Sequence, residues 1–262
     1  MSGAAPSAPY YRAVAHEVSV FEHAYGNRLP LLIKGPTGCG KTRFVEHMAH
    51  RLGRPLITVA CHEDTAAADL LGRYLVQGGD TVWQDGPVTR AVRRGAVLYL
   101  DEIAEARQDV IAVLHPLSDH RRQLFLDRRD ETLTAPAEFM LVASYNPGYQ
   151  QRLKDLKPSL RQRFLGLSLG YPEKSIETEI IARESGVDAS IAGKLVTLAH
   201  KLRNLQELGM TEVVSTRLLV STARLIHAGL GPRLACDVGV IQPLSDDAEV
   251  VTALRELAAL HF

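Results

Sequence analysis

The amino-acid sequence predicts an α/β protein with a parallel sheet of five strands, followed by a small domain built only of helices. Three observations support this prediction. Short apolar runs alternate with segments of helical periodicity over the first two-thirds of the chain, which is typical of a parallel α/β sheet. After Pro172, apolar residues recur only at helical spacing. A glycine-rich stretch also joins the first apolar run to a helical segment, as in α/β folds that bind phosphate.

The predicted strands are the five apolar runs of the amino-terminal part: Leu29–Ile33, Pro55–Ala60, Ala96–Leu100, Phe139–Ser144 and Phe164–Leu169. The helical segments between them are Arg43–Leu52, Val88–Arg94 and Gln108–Ser118. We place a domain boundary at Pro172, which gives an α/β domain over residues 1–172 and a helical lid over residues 173–262. The lid prediction rests on apolar residues at helical spacing: Ile176, Ile180, Ile181, Ile191, Leu195, Leu198, Leu218, Leu219, Leu225 and Ile226.

Two segments depart from the simple alternation, and both are predicted to be β-hairpins that interrupt helices rather than extend the sheet. Tyr74–Trp83 has apolar flanks around Gly78-Gly79-Asp80, a strong turn signal. Arg121–Leu133 carries Leu124, Phe125 and Leu126 on one arm. The pattern alone does not distinguish functional inserts from surface excursions without a role.

Composition and charge narrow the classes of function. Apolar residues make up 46% and charged residues 23% of the 262 residues, as in ordinary globular proteins. Thirty basic residues balance thirty acidic ones, so no overall field attracts nucleic acid or an anionic membrane surface. Because we also find no basic run, we expect no nucleic-acid partner.

The sequence also gives expectations about location. Met1 to Pro9 lacks the layout of a signal peptide, and no apolar run is long enough for a membrane span, so we expect no membrane insertion. Cys39, Cys61 and Cys236 are odd in number and widely scattered, which favours small buried thiols in a reducing cytoplasm over a disulfide framework.

The glycine-rich stretch matches the pattern G-x-x-x-x-G-K-[ST] of a phosphate-binding P-loop. Its glycines let backbone N–H groups surround phosphate oxygens, Lys41 is placed to reach the β- and γ-phosphates, and Thr42 offers a hydroxyl to Mg²⁺. The apolar strand before it and the helix after it are the context that the motif requires. The predicted nucleotide-binding residues are Gly35, Pro36, Thr37, Gly38, Cys39, Gly40, Lys41 and Thr42.

Two carboxylates follow the apolar run Val97-Leu98-Tyr99-Leu100. A strand that ends in Asp101-Glu102 holds them at the carboxyl edge of a parallel sheet, where α/β folds bind ligands. Downstream of a P-loop, Asp101 is predicted to help hold Mg²⁺ through its water shell. Glu102 is predicted to orient and polarise the attacking water. The sequence therefore predicts an ATPase with ATP and Mg²⁺ as cofactors.

Four further residues are candidates whose pattern leaves two interpretations. Asn146 follows a strand and precedes Pro147, so it is either a turn initiator or a side chain near the γ-phosphate. Arg161 and Arg163 are either surface arginines or arginine fingers that act on a neighbouring subunit's nucleotide. Arg217 is either an ordinary helix residue or a lid residue that reaches nucleotide.

The ordered set GPTGCGKT, LYLDE, SYNPGY, LRQRF and STR, with TVWQDGPVTRA ahead of the carboxylates, resembles the MoxR branch of AAA+ ATPases. Within that branch the chain is similar to the CbbQ/NorQ group, from about Tyr10 to Phe262. The resemblance implies that Asn146 is sensor 1, Arg163 the arginine finger and Arg217 sensor 2. It also implies that the Tyr74–Trp83 hairpin is the helix-2 insert facing the pore of a ring, and that the second hairpin precedes sensor 1. Arg161 stands where related chains often have lysine, which leaves open how it shares the finger role.

The same resemblance implies partners. Members form homo-hexamers and work with a protein that carries a von Willebrand A domain, similar to CbbO. The CbbQ-type role is to use ATP to release inhibitory sugar phosphates from rubisco, and this remodelling role is our first expectation. A NorQ-type role in maturation of nitric oxide reductase is the alternative client. A nucleotide-gated scaffold with little ATPase activity is the alternative from another class.

Overall fold

The computed structural model describes residues 8–147, 156–206 and 213–262. Gly148 and Tyr149 of the SYNPGY run lie outside the described residues. The chain divides into two compact units: unit 1 contains residues 8–35 and 41–169, and unit 2 contains residues 36–40 and 170–262. The second unit thus includes the middle of the glycine-rich loop, and a domain boundary at Pro172 stays a prediction.

Unit 1 is built on a parallel sheet of five strands in the order β2-β5-β8-β1-β9. The predicted α/β fold is therefore confirmed, and each strand begins and ends within two residues of its predicted bounds. The strands are β1 (Leu31–Lys34), β2 (Leu56–Ala60), β5 (Val97–Asp101), β8 (Met140–Tyr145) and β9 (Leu165–Ser168). Because β5 and β8 lie between other strands, their carboxyl ends meet in the middle of the sheet edge.

Helices cover both faces of this sheet, and alternate strand residues supply two cores. Val97 and Tyr99 pack with Phe44 on one face, whereas Leu98 and Leu100 belong to the core of the other face, as the two-residue period of a strand requires. The helix after Gln108 ends at Leu114 rather than at the predicted Ser118. The helices of unit 1 are α1 (Glu17–Gly26), α2 (Lys41–Arg51), α3 (Ala67–Leu71), α4 (Pro87–Arg94), α5 (Gln108–Leu114) and α6 (Pro158–Arg161).

Both predicted hairpins are present, each as a separate antiparallel pair outside the main sheet. The first consists of β3 (Gly72–Gln77) and β4 (Asp80–Asp85) and lies between α3 and α4. The second consists of β6 (Gln123–Leu126) and β7 (Glu131–Thr134). The expectation that both interrupt helices is correct only for the first, because the second lies between a helix and strand β8.

Unit 2 buries its own apolar core among helices, with Leu195, Leu198, Leu219 and Val240 almost fully covered. Leu225, one of the apolar residues at helical spacing, is 38% exposed. In the residue ranges given above, no helix combines the length and apolarity needed to cross a bilayer. The helices are α7 (Lys174–Ser185), α8 (Ala189–Gln206), α9 (Thr216–His227), α10 (Pro232–Cys236) and α11 (Ala248–Ala259), with a π-helical turn at Asp237–Ile241.

A buried ion pair connects three helical segments of unit 2. The Glu177 carboxylate is 0% exposed and accepts hydrogen bonds at 2.8 Å from both terminal nitrogens of Arg203. Thr216 donates its hydroxyl to the same carboxylate at 2.6 Å. The Arg203 guanidinium also lies 4.0 Å from the centre of the Tyr171 ring. Arg203 therefore provides most of the charge compensation for a carboxylate that water does not reach.

Arg203→Met is expected to lower the free energy of unfolding of unit 2 by roughly 3–5 kcal/mol, because it leaves a buried carboxylate without its counter-ion. Arg224→Met is the matched control, since Arg224 is 57% exposed and pairs with Glu184 at the surface. An exposed pair contributes about 1 kcal/mol or less. Urea unfolding followed by circular dichroism measures both variants, and equal losses would contradict the role given to the buried pair.

Candidate active site

The glycine-rich loop joins β1 to α2, and its backbone has the conformation that such a loop needs. Gly38 (φ 69°) and Gly40 (φ 101°) both lie in the left-handed region, which a side chain would oppose. Helix α2 begins at Lys41, two residues earlier than predicted, so Lys41 and Thr42 lie in its first turn. Peptide N–H groups at the start of a helix are unpaired and favour an anion.

Within unit 1, the Lys41 ammonium lies at the centre of a polar cluster. Lys41 is only 6% exposed and donates to the Gly35 carbonyl at 2.9 Å and to the side-chain oxygen of Asn146. The Asn146 amide nitrogen in turn donates to Glu102 Oε1 at 2.8 Å, and Lys41 Nζ lies 4.0 Å from that oxygen. The structure thus brings the first residue of α2 together with the residues that follow β5 and β8. The turn-initiator interpretation does not account for the two side-chain contacts of Asn146.

The Asp101 carboxylate is oriented by two residues that the sequence analysis did not single out. Tyr99 donates its hydroxyl to Asp101 Oδ1 at 2.8 Å, and Ser144 donates to the same oxygen at 2.6 Å. The other oxygen, Oδ2, lies 3.3 Å from the Thr42 hydroxyl. Both hydroxyls belong to buried strand residues, so a polar atom within an apolar run was the signal available in the sequence.

Glu102 has an unusual backbone and an altered acidity. Its φ of 54° places a non-glycine residue in the left-handed region, which is uncommon for a side chain of this size. Burial raises the pKa of the Glu102 carboxyl, and the charge of Asp101 adds to this effect, while Lys41 opposes it. The Lys41 ammonium beside Glu102 therefore favours the ionised form of this carboxyl.

The two candidate finger arginines have different surroundings. Arg163, in the turn before β9, donates to Asp119 Oδ2 at 2.9 Å and to the His115 carbonyl at 3.4 Å. Arg161 is exposed at the end of α6. Within the described residues, the structure shows no hydrogen bond or ion pair from Arg163 to Lys41, Asp101 or Glu102.

Arg217 lies in unit 2, which also contains residues 36–40 of the loop. It is exposed in the first turn of α9, whose N-cap Ser215 accepts a hydrogen bond from the Leu218 amide. A Cβ atom added at Gly38 would meet Ser215 Cβ at 2.5 Å and Arg217 Cβ at 3.3 Å. The absence of a side chain at Gly38 therefore lets the loop approach the start of the helix that carries Arg217.

The polar groups of this site suit a nucleotide and a hard divalent cation. A buried ammonium that directly follows a glycine-rich loop in the chain suits the charge of a polyphosphate. The Thr42 hydroxyl and Asp101 Oδ2 are neighbouring oxygen ligands of the kind that Mg²⁺ prefers. These two residues could hold Mg²⁺, which would neutralise phosphate charge when bound.

A P-loop, two carboxylates where one strand ends, an asparagine directly after the neighbouring strand, and a separate helical unit define an AAA+ ATPase. Comparison with known proteins supports this class: residues 30–164 match the model of the AAA domain (dynein-related subfamily). A RuvB mutant from Thermotoga maritima has the same fold, with a TM-score of 0.54 at 17% identity over 93% of this chain and 69% of that one.

Residues 177–261 match the model of the CbbQ/NirQ/NorQ carboxyl-terminal region. The chain is 58% identical to Protein NorQ of Paracoccus denitrificans, over 98% of this chain and 96% of that protein. It is 54% identical to the denitrification regulatory protein NirQ of Stutzerimonas stutzeri, over 98% and 94%. It is also 54% identical to Protein CbbQ of Hydrogenophilus thermoluteolus, over 98% and 96%. The chain therefore belongs to the CbbQ/NirQ/NorQ family of AAA+ ATPases.

Proposed function

We propose that this ATPase uses ATP and Mg²⁺ to remodel a client protein and that the polar cluster of unit 1 carries the hydrolysis. Lys41 would bind the β- and γ-phosphates, and Thr42 and Asp101 would hold Mg²⁺, which would neutralise phosphate charge. The ionised Glu102 orients and polarises the attacking water. Asn146 contacts both Lys41 and Glu102 and holds these two side chains in position for the γ-phosphate.

We further propose that the site is completed by a neighbouring subunit in a homo-hexamer. Arg163 makes its own-chain hydrogen bonds away from the polar cluster, which suits an arginine that serves the nucleotide of the next subunit. Arg161 is the second candidate for this role. Arg217 is proposed as the lid residue that senses nucleotide, because its helix begins beside Gly38 within unit 2.

The observation that supports remodelling, rather than a nucleotide-gated scaffold, is the apolar surface of the hairpins. Val76 is 78% exposed and Tyr74 48% exposed on the first hairpin, and Phe125 is 40% exposed on the second. Exposed apolar side chains grouped on projecting elements are typical of surfaces that contact another protein. A scaffold that only binds nucleotide has no need of a positioned Glu102. A motor needs both this carboxylate and a surface that contacts the client.

The client that we propose first is rubisco carrying a tight sugar-phosphate inhibitor, with a von Willebrand A-domain protein similar to CbbO as the partner. This follows from the resemblance to the CbbQ group and from the identity to Protein CbbQ. A second candidate client, nitric oxide reductase, is favoured by the somewhat higher identity to Protein NorQ and by the denitrification role in the name of NirQ.

The client is identified by two assays that use the same protein, its cognate von Willebrand partner and ATP. In the first assay, inhibited rubisco is expected to regain carboxylation. In the second, cells that lack this chain are tested for active nitric oxide reductase. Failure to restore rubisco, together with loss of nitric oxide reductase activity in those cells, would reject the rubisco role and establish the alternative.

Shortening the tip of the first hairpin is expected to separate hydrolysis from remodelling. Replacing Gln77–Asp80 by Asn-Gly leaves a two-residue turn between Val76 and Thr81, which already face each other in the ladder. The tip lies outside the polar cluster, so ATP hydrolysis should stay within about twofold of the parent. Client activation should fall at least ~10-fold, because the hairpin no longer binds the client differently in the different nucleotide states. Activation at the parent rate would contradict the role given to this hairpin.

A further inference from the structure

The two hairpins are joined to each other by a network of side chains in unit 1. Arg93 of α4 donates to both oxygens of Glu131 in the second hairpin at 2.8 Å and to Asp85 in the first hairpin at 2.9 Å. Arg129 lies 5.8 Å from the centre of the Trp83 ring and 3.4 Å from Glu131. The hairpins and α4 therefore form the walls of one surface groove with fixed side chains.

This groove has a volume of about 620 Å³, and its lining contains more basic than acidic side chains. Its two carboxylates are already paired with Arg93 and Arg129. Arg90 and Arg94 also line the groove, are exposed, and have no ion-pair partner among the described residues. Since they are four residues apart on α4, their guanidinium groups lie on the same helix face. The helix dipole accounts for basic residues in the last turn of α4, such as Arg94. Arg90 lies one turn earlier, so the dipole does not account for its position.

The remaining two residues of the lining are Trp83 and Gln84, so the lining adds an aromatic ring and no further acid. The Trp83 side chain is partly buried and donates its indole N–H to Asp85 at 2.7 Å. A continuous phosphate backbone would meet Asp85 and Glu131 as well as the arginines, which opposes nucleic acid. Separate carboxylates on a flexible peptide can instead reach the two uncommitted guanidinium groups and leave the paired acids undisturbed.

We propose that this groove is a docking site for an acidic segment of a partner protein, with two carboxylates bound by Arg90 and Arg94 and the chain lying against Trp83. An occupant would contact both hairpins and the helix between them. The proposal concerns the surface of unit 1 alone and holds whichever client the ATPase serves.

Trp83 is the single tryptophan of the chain, so its fluorescence reports directly on the groove. The probe is an acetylated hexaglutamate peptide, and hexaglutamine is the uncharged control. We expect a saturable change in Trp83 emission with hexaglutamate alone, and a weaker affinity as salt is raised. Anisotropy of a fluorescein-labelled hexaglutamate gives a second reading that does not depend on the response of the indole.

The decisive variant is the double substitution Arg90→Gln and Arg94→Gln, expected to weaken hexaglutamate binding at least ~10-fold through loss of two charged contacts. The matched control is Arg51→Gln with Arg107→Gln, which removes the same charge at exposed positions outside the groove and should bind within about twofold of the parent. Equal binding by both double variants would overturn the proposal. So would the absence of hexaglutamate binding by both readings, or arginine-dependent binding of a thymidine hexanucleotide in its place.

Discussion

Glu102→Gln is expected to bind ATP as well as the parent and to hydrolyse it ~10²–10⁴ times more slowly, the usual contribution of a general base. The amide keeps an oxygen in the position that accepts the hydrogen bond from Asn146 at 2.8 Å, so the arrangement around the site is preserved. What is lost is the negative charge that polarises water. Steady-state phosphate release and equilibrium binding of a fluorescent ATP analogue measure the two effects separately.

Glu105→Gln is the control for this variant, because it also converts a carboxylate to an amide close by in the chain. Glu105 lies in the short 3-10 helix after β5, and its substitution should leave hydrolysis within about twofold of the parent. Hydrolysis by Glu102→Gln at the parent rate would show that another group activates the water.

Lys41→Ala, unlike Glu102→Gln, is expected to impair ATP binding itself. It removes the buried ammonium that the phosphates require, and charge-assisted hydrogen bonds contribute ~1.5–3 kcal/mol each. ATP affinity is therefore expected to fall about 100-fold or more. It also removes the positive charge that favours the ionised form of Glu102, so residual turnover should be low even at saturating ATP.

Arg163→Ala is expected to bind ATP and to hydrolyse it ~10³-fold more slowly, the lower end of the effect of an arginine finger. The control is Arg121→Ala, since Arg121 shares the Asp119 carboxylate with Arg163 but is 45% exposed. A loss in both variants would point to disturbance of Asp119 rather than to a missing finger.

Mixed rings test whether Arg163 acts across a subunit interface. Lys41→Ala and Arg163→Ala subunits are each expected to have little activity alone, but an interface that pairs an intact P-loop with an intact arginine should hydrolyse ATP. We expect partial recovery of activity on mixing. No recovery in rings shown to contain both variants would exclude the trans role, and an active Arg163→Ala would transfer it to Arg161.

The residues of the candidate site could be selected from the sequence because their motifs are local. The glycine spacing, the strand before it and the helix after it are read over a few neighbouring residues, and so is the Asp101-Glu102 pair at the end of an apolar run. Gly78-Gly79 likewise predicted the first hairpin. The short helices α3 and α6 were missed because five and four residues are too few to show a helical period.

The order β2-β5-β8-β1-β9 and everything that depends on it were decided only by the tertiary structure. Ser144 orients Asp101 because β8 pairs with β5, and Tyr99 does so because a strand places residues two apart on the same face. Glu177 and Arg203 are ordinary charged helix residues until folding buries them together. Such contacts join residues far apart in the chain, and their free energy depends on shared burial, which no local pattern records.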